Sequence, residues 1–427
     1  MTPGTQMRVV VAHRGARDRY QVARALQEAG LLDSLVTDLY WPSGAAVDRA
    51  LPARLRRMLE ARTEHSIPAK RVRCCLASGV SSVAIARSRA LPFACQRAAL
   101  RWSDDCIGKR AGKLAAKRRA ALLSYSYYGY SAFRACRADV PRILFQLHPH
   151  PASVRAILLT ELERHRECAP TLLKEWELAL PEAEFARLEQ EPSMAQHWIA
   201  ASSYTRQTLA DHGIPPDRVH VVPYGVDAER FAGGRPARSG AGKLKLLFVG
   251  SINQRKGIKY LLEALDLLDD PQIELTVCGW AVDGLQLFRG YEDRVVLRPS
   301  ASAAELLEAY RSADLFVFPS LAEGFGQVLL EAMAAGLPVL ATTRTAAPDL
   351  IRHGEAGFIL PPAQTEALAE RIEWAAAHRN RLAYMGEAAA QTARQFTWER
   401  FRRRIAEVVG GILEGRTAQE ALQHGTV

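Results

Sequence analysis

"PSLAEGFGQVLLEAMAAGLPVLA", residues 319–341, sets Glu323 ahead of an apolar helical run and Glu331 inside it, with Gly-Phe-Gly between them. The run before it, "DLFVFPS" (314–320), reads as a buried strand, and the helical run stops at Gly336 before Pro338. Strand, loop and helix in that order make one unit of a parallel sheet, whose ligands sit beyond the carboxyl ends of the strands. The helix start, near Gln327, leaves unpaired N–H groups and a partial positive charge aimed at the loop, which suits a phosphate. Gly324 and Gly326 let a ligand approach the backbone. Glu323 and Glu331 then accept hydroxyls on either side of that phosphate, as a sugar, diphosphate and ribose in series would require. Taken singly, Glu323 also reads as a helix cap, and Glu331 is more often a solvated surface position.

The same alternation extends over most of the chain. "LKLLFVG" (244–250), "GIKYLLEALDLL" (257–268), "IELTVCG" (273–279), "RVVLRP" (294–299) and "AAELLEAYRSA" (303–313) precede it as strands and helices of one domain. "RVVVAH" (8–13), the helical "DRYQVARALQEAG" (18–30), and the strand runs at 34–40, 121–127, 142–148 and 197–202 make another. Between them "GRPARSGAGKL" has no periodicity and reads as linker. It lacks the strand, the first glycine and the Ser or Thr of a phosphate loop. The expected fold is α/β, with two Rossmann-like parallel-sheet domains facing a cleft. Residues 1–225 form the first, 226–243 the linker and 244–395 the second, and a helix at about 396–415 packs back on the first.

A second strand-end loop, "FVGSINQRKG" (248–257), offers Arg255 and Lys256, a bidentate clamp and a point charge for a polyanion. "RKG" alone is as readily a surface feature. It is the shared placement of these loops after strands of one domain that points to a common ligand.

Among 427 residues, 48% are hydrophobic and 24% charged, which fits a globular chain with a sizeable core and excludes disorder. No apolar stretch approaches the ~18 residues of a membrane span and no signal segment is evident, so a cytoplasmic enzyme is expected. The seven cysteines show no C-x2-C pairing, and His148 and His150 have no acidic or thiol partners nearby, so no metal is expected. Residues 51–120 hold 17 Lys and Arg against 4 Asp and Glu. Such a stretch suits peripheral contact with an anionic membrane or an acidic glycan, or is a solvated Arg-rich helical surface. Sparse aromatics argue against nucleic acid.

E-G-F-G-x4-E at Glu323–Glu331 resembles the signature of the retaining glycosyltransferases of family 4, which adopt the two-domain GT-B fold. "HVVPYGVDAERF" (220–231), "LLFVGSINQRKGIKYLLEAL" (246–265), "APDLIRHGEAGFILPP" (347–362) and "FTWERFRRRI" (396–405) are similar to family segments in the same order. The resemblance implies a nucleotide-diphosphate sugar as donor, no cofactor and no metal, and transfer with retained anomeric configuration to a glycan, lipid-linked or small-molecule acceptor in envelope or polysaccharide assembly. It implies that Glu323 binds the donor sugar, that Gly324, Phe325, Gly326, Gln327 and Val328 present backbone to sugar and phosphate, and that Glu331 holds the ribose. Lys256 and Arg255 would neutralise the diphosphate, Gly250 and Gly15 would lie near it, and Arg298 and Ser300 would flank the base. His148 would lie near the anomeric carbon, though it also reads as a satisfied loop histidine. Ser251 stands where the family often has Arg, so Arg255 is the expected substitute. Two other readings remain open, a nucleotide-sugar epimerase of the same fold and a non-catalytic sugar-nucleotide-binding subunit. A dinucleotide oxidoreductase is disfavoured because no G-x-G-x-x-G follows the first strand.

Overall fold

The computed structural model describes residues 7–41, 59–76, 92–233, 242–281 and 285–416, with 56, 79 and 85 as single positions. Two all-parallel sheets organise them. The first contains β1 (Val9–Ala12), β2 (Leu32–Thr37), β3 (Val72–Cys74), β4 (Ala121–Tyr125), β5 (Arg142–Gln146), β6 (His197–Ala200) and β7 (Val219–Val221), in the order β3-β2-β1-β4-β5-β6-β7. The second contains β8 (Leu244–Val249), β9 (Ile273–Gly279), β10 (Val295–Pro299), β11 (Leu315–Phe318), β12 (Val339–Thr342) and β13 (Gly357–Leu360), in the order β10-β9-β8-β11-β12-β13. Central strands such as "VVVA" and "LFVF" are apolar throughout because helices cover both faces of each sheet. The order reverses between β1 and β4 and again between β8 and β11, and at such points the loops after the strands spread apart into a crevice.

Buried side chains form one core around the second sheet and two clusters on opposite faces of the first. Helix Trp398–Leu413, capped by Thr397, returns after the second sheet and sinks Phe401, Ile405, Val408, Val409 and Ile412 into the first domain's core. Arg402 fastens it to helix Gln21–Glu28, with Nε 3.0 Å from the Glu28 carboxylate and Nη1 2.9 Å from Gln21 Oε1. No helix among the described residues is long and apolar enough to cross a membrane.

Three local readings change. The first helix begins at Gln21 rather than Asp18: Asp18, Arg19 and Tyr20 take φ of 45°, 52° and 60°, in the left-handed region that non-glycine residues seldom occupy. Asp18 holds this turn, its carboxylate accepting from Gln21 N at 3.0 Å and from Tyr125 Oη at 2.6 Å. The stretch read as linker starts inside the second domain, because Val226 and Phe231 are buried in its core; residues 234–241 lie outside the described residues. About half of the basic region over 51–91 also lies outside them; its described part carries β3, and the rest of the region forms one helix, Phe93–Arg118.

Candidate active site

The loops after β8 and β11 meet at Glu323. The Lys256 ammonium touches the Glu323 carboxylate, and Arg255 Nη1 lies 3.5 Å from the same oxygen. Burial, followed by the Arg255 guanidinium, pulls the Lys256 amine well below its ordinary range, against the charge of Glu175. Gly326 caps helix Gln327–Ala334 at φ 83°, where a Cβ would crowd the Phe318 ring. The Phe325 side chain anchors the loop, buried edge-on against Tyr224 with ring centroids 5.2 Å apart. A turn along the helix, Glu331 accepts from Tyr310 Oη at 3.0 Å. Burial raises its carboxyl, while Tyr310, Arg230 and Arg19 oppose the rise.

Gly324 serves a different contact from the one its sequence position suggests. A Cβ there would overlap the Leu147 carbonyl of the first domain, and Ser202 Oγ and Thr205 Oγ1 donate to the Gly324 carbonyl at 2.6 and 3.1 Å. The missing side chain therefore admits the first domain's backbone. Gln327 likewise reaches back, its Nε2 donating to Gly225 O at 2.7 Å.

A cavity of about 420 Å³ opens beside these residues and is lined by Glu323, Phe325, Gly326, Gln327 and Glu331 from the second domain and His148 from the first. Of the other sequence candidates, Lys256 and Gly324 stand behind Glu323. Gly15 donates its N–H to Asp38 at 2.8 Å, Gly250 donates to Cys278 O at 3.0 Å, and Val328 packs against the second domain's core. Arg298 and Ser300 lie at the end of the edge strand β10; none of these seven lines the cavity. Burial, then the charges of Arg17, Arg255 and Lys256, push the His148 imidazole down to about 3, so it is neutral at physiological pH.

Sequence reasoning missed several lining residues. Arg17 precedes the left-handed turn after β1, Asp18 and Arg19 lie in it, and Arg230 follows the β7 segment. The three guanidiniums are exposed into the cleft, and none forms an ion pair with a carboxylate among the described residues. The rule that ligands gather at strand ends points to the first loop, but only the backbone turn aims Arg17 and Arg19 across the cleft. Burial raises Asp18 to about 7, against its bonds to Tyr125, Gln21 and Val22 and the charge of Arg17.

The two domains are tied together behind the cavity. Arg255 Nε and Asn253 Nδ2 both donate to Glu175, at 2.9 and 2.7 Å, and Gln254 Nε2 and Tyr260 Oη converge on Glu161 at 3.0 and 2.9 Å. Ser203 N donates to Asp349 at 2.8 Å. A second cavity, of about 310 Å³, lies on the first-domain side and meets the first at Arg17 and His148. Tyr127, Tyr128, Tyr130, Trp176 and Glu177 form part of its wall.

Comparison with known proteins agrees with this architecture. The chain matches the family models "Glycosyl transferases group 1" over residues 235–392 and "Glycosyltransferase Family 4" over residues 84–230. Among curated relatives, it is 32% identical over 267 residues to D-inositol 3-phosphate glycosyltransferase of Streptomyces bingchenggensis, covering 57% of this chain and 59% of the relative. It is 35% identical over 202 residues to the enzyme of the same name from Arthrobacter sp. (strain FB24), covering 43% and 48%. The chain thus spans about half the length of the curated relatives it matches. Among solved structures, sucrose-phosphate synthase from Thermosynechococcus elongatus superposes with a TM-score of 0.64 at 18% identity, over 96% of this chain and 100% of that one. Anabaena Alr3699/HepE in complex with UDP-glucose gives 0.60 at 18% identity, over 95% and 100%. By two adjoining family models that together take in most of the sequence, and by a fold shared with these structures, the chain belongs to the group 1 and family 4 glycosyltransferases of GT-B architecture.

Proposed function

We propose that the protein is a retaining glycosyltransferase that moves a sugar from a nucleoside diphosphate sugar to a hydroxyl of a glycan, lipid-linked or small-molecule acceptor, in envelope or polysaccharide assembly. One observation carries this reading. Two carboxylates, Glu323 and Glu331, flank the amide end of helix Gln327–Ala334 in the cavity that receives Arg17, Arg19 and Arg230. A diphosphate at that helix end neutralises guanidiniums with no carboxylate partner. Glu323 accepts the donor sugar's hydroxyls, and Glu331 accepts the ribose hydroxyls. The curated relatives' name makes D-inositol 3-phosphate one candidate acceptor, and the UDP-glucose complex of Alr3699/HepE makes UDP-glucose one candidate donor.

The second cavity joins the donor cleft at Arg17 and His148, so an acceptor hydroxyl enters from the side on which the diphosphate departs. In transfer the bond from the anomeric carbon to the phosphate oxygen breaks and that carbon bonds to the acceptor oxygen. The hydroxyl proton passes to the departing phosphate. Attack from the leaving-group face keeps the anomeric configuration. The protein's part is to position both substrates, with Lys256 holding Glu323 in place, and to stabilise the charge growing on the diphosphate with Arg17, Arg19, Arg230 and the helix amides.

The test is a donor-panel assay of hydrolysis and transfer with Glu323→Ala and Lys256→Ala. Each variant is expected to lose ~10²- to 10³-fold in rate. Full activity in both would refute the site.

A further inference from the structure

The second cavity raises the question of which acceptor chemistry it receives. It lies at the carboxyl edge of the first sheet, where the loops after β1, β4 and β5 spread, and its volume of about 310 Å³ falls at the lower end of small-molecule sites. Most of its guanidiniums are already engaged. Arg14 Nε lies 3.1 Å from Asp104, Arg101 pairs with Glu184, Arg255 Nε donates to Glu175 at 2.9 Å, and Arg187 lies 5.8 Å over the Tyr130 ring. Arg17 donates to Tyr128 Oη at 2.9 Å and is shared with the donor cleft, where the departing diphosphate claims it.

A phosphate taken out of water needs charged donors, best supplied by guanidiniums in bidentate contact. Here, Arg17 aside, Arg187 alone has no carboxylate partner among the described residues, and a second guanidinium would have to come from Arg14 or Arg101, leaving a part-buried acid uncompensated. What the wall does offer is aromatic and acceptor-rich. Trp176 is half-buried, and its indole N–H makes no hydrogen bond among the described residues. Glu177 takes the Tyr127 hydroxyl and Asp105 the Ser131 hydroxyl, and each carboxylate keeps further acceptor positions. Ring C–H faces lie against indole and phenol, and ring hydroxyls donate to carboxylates.

We propose that this cavity selects an unphosphorylated, polyhydroxylated ring as acceptor, with Trp176 as its stacking wall and Glu177 and Asp105 as hydroxyl acceptors. The proposal rests on the glycosyltransferase reading, and it parts from the phosphorylated polyol that the relatives' name suggests.

The experiment uses the full chain, a donor that thermal shift shows to bind, and acceptors in matched pairs: myo-inositol with D-inositol 3-phosphate, glucose with glucose 6-phosphate, and neutral di- and trisaccharides beside their phosphorylated forms. The expected result is transfer to an unphosphorylated member with kcat/KM at least about tenfold above its phosphorylated partner. In Trp176→Ala the acceptor KM is expected to rise about tenfold, more than any change in nucleoside diphosphate affinity measured by calorimetry. Preference for the phosphorylated member of a pair, no transfer to any unphosphorylated acceptor, or an acceptor KM that Trp176→Ala does not move would overturn the proposal while leaving donor binding intact. Absence of nucleotide binding altogether would overturn both readings.

Discussion

Arg255 of the second domain and Glu175 of the first meet across the cleft, Nε to Oε2 at 2.9 Å, with Arg255 also bonded to the Ala322 carbonyl at 2.8 Å. The cation that the sequence assigns to the diphosphate is thus spent on holding the domains together. Burial depresses Arg255, but Glu175 and then Glu177 outweigh it and raise the guanidinium's pKa. Removing the Glu175 charge leaves Arg255 available to an incoming anion and weakens closure. Glu175→Gln is expected to bind nucleoside diphosphate about 5- to 10-fold more tightly, about 1 to 1.4 kcal/mol, and to turn over more slowly. Calorimetry beside steady-state kinetics checks it; weaker binding in the variant would contradict the account.

Gly324 lies so close to Leu147 that a methyl group overlaps the Leu147 carbonyl. Gly324→Ala is therefore expected to hold the domains apart without unfolding either. Turnover should fall ~10²-fold, as misplaced substrates imply, with a melting temperature near that of the parent and a larger radius of gyration by small-angle X-ray scattering. An unchanged radius would argue against the closure role.

Asp18, raised to about 7 by burial, makes a pH prediction whose sign follows from its environment. Its folded pKa lies above the ordinary ~3.9, so between about pH 4 and 7 the unfolded chain has released a proton that the folded chain keeps. This group's contribution to stability therefore falls as pH rises through that window and levels off above about 7. Once ionised, the carboxylate also repels a diphosphate in the cavity it lines. Nucleoside diphosphate affinity is expected to weaken as pH passes about 7 and, in Asp18→Asn, to lose that step; a titration with the same step in both proteins would count against it.

Phe401 arrives from beyond the second sheet yet is 2% exposed in the first domain's core, against Phe145 and Tyr224. Phe401→Ala is expected to cost ~3–5 kcal/mol of stability, seen as a lowered urea midpoint. A midpoint shift worth less than about 1 kcal/mol would show that helix Trp398–Leu413 is only loosely held.

The sequence carries the fold plainly where periodicity is strong. The runs at 244–250, 273–279 and 314–320 coincide with β8, β9 and β11 to within a residue or two, and the break at Gly326 with a helix start. Glu323 and Glu331 stand together in one cavity because loop and helix adjoin in the chain. Less was legible where the structure depends on contacts distant in sequence. Asp18 reads as helical by spacing, but its bond to Tyr125, 107 residues away, holds a left-handed turn. Glu175 and Trp176 lie in a stretch of short helical turns with no sustained period, so nothing local marks them as cleft residues. Gly324 has the right position for a phosphate loop, and only the docked first domain reveals what its missing side chain accommodates.

The most direct test is a crystal structure of the protein with an intact nucleoside diphosphate sugar. The account predicts the diphosphate between the amide end of helix Gln327–Ala334 and the Arg17 guanidinium, the sugar hydroxyls on Glu323 and the ribose on Glu331. A donor bound outside that cavity, or bound within it with its phosphates turned away from both the helix end and Arg17, would contradict it.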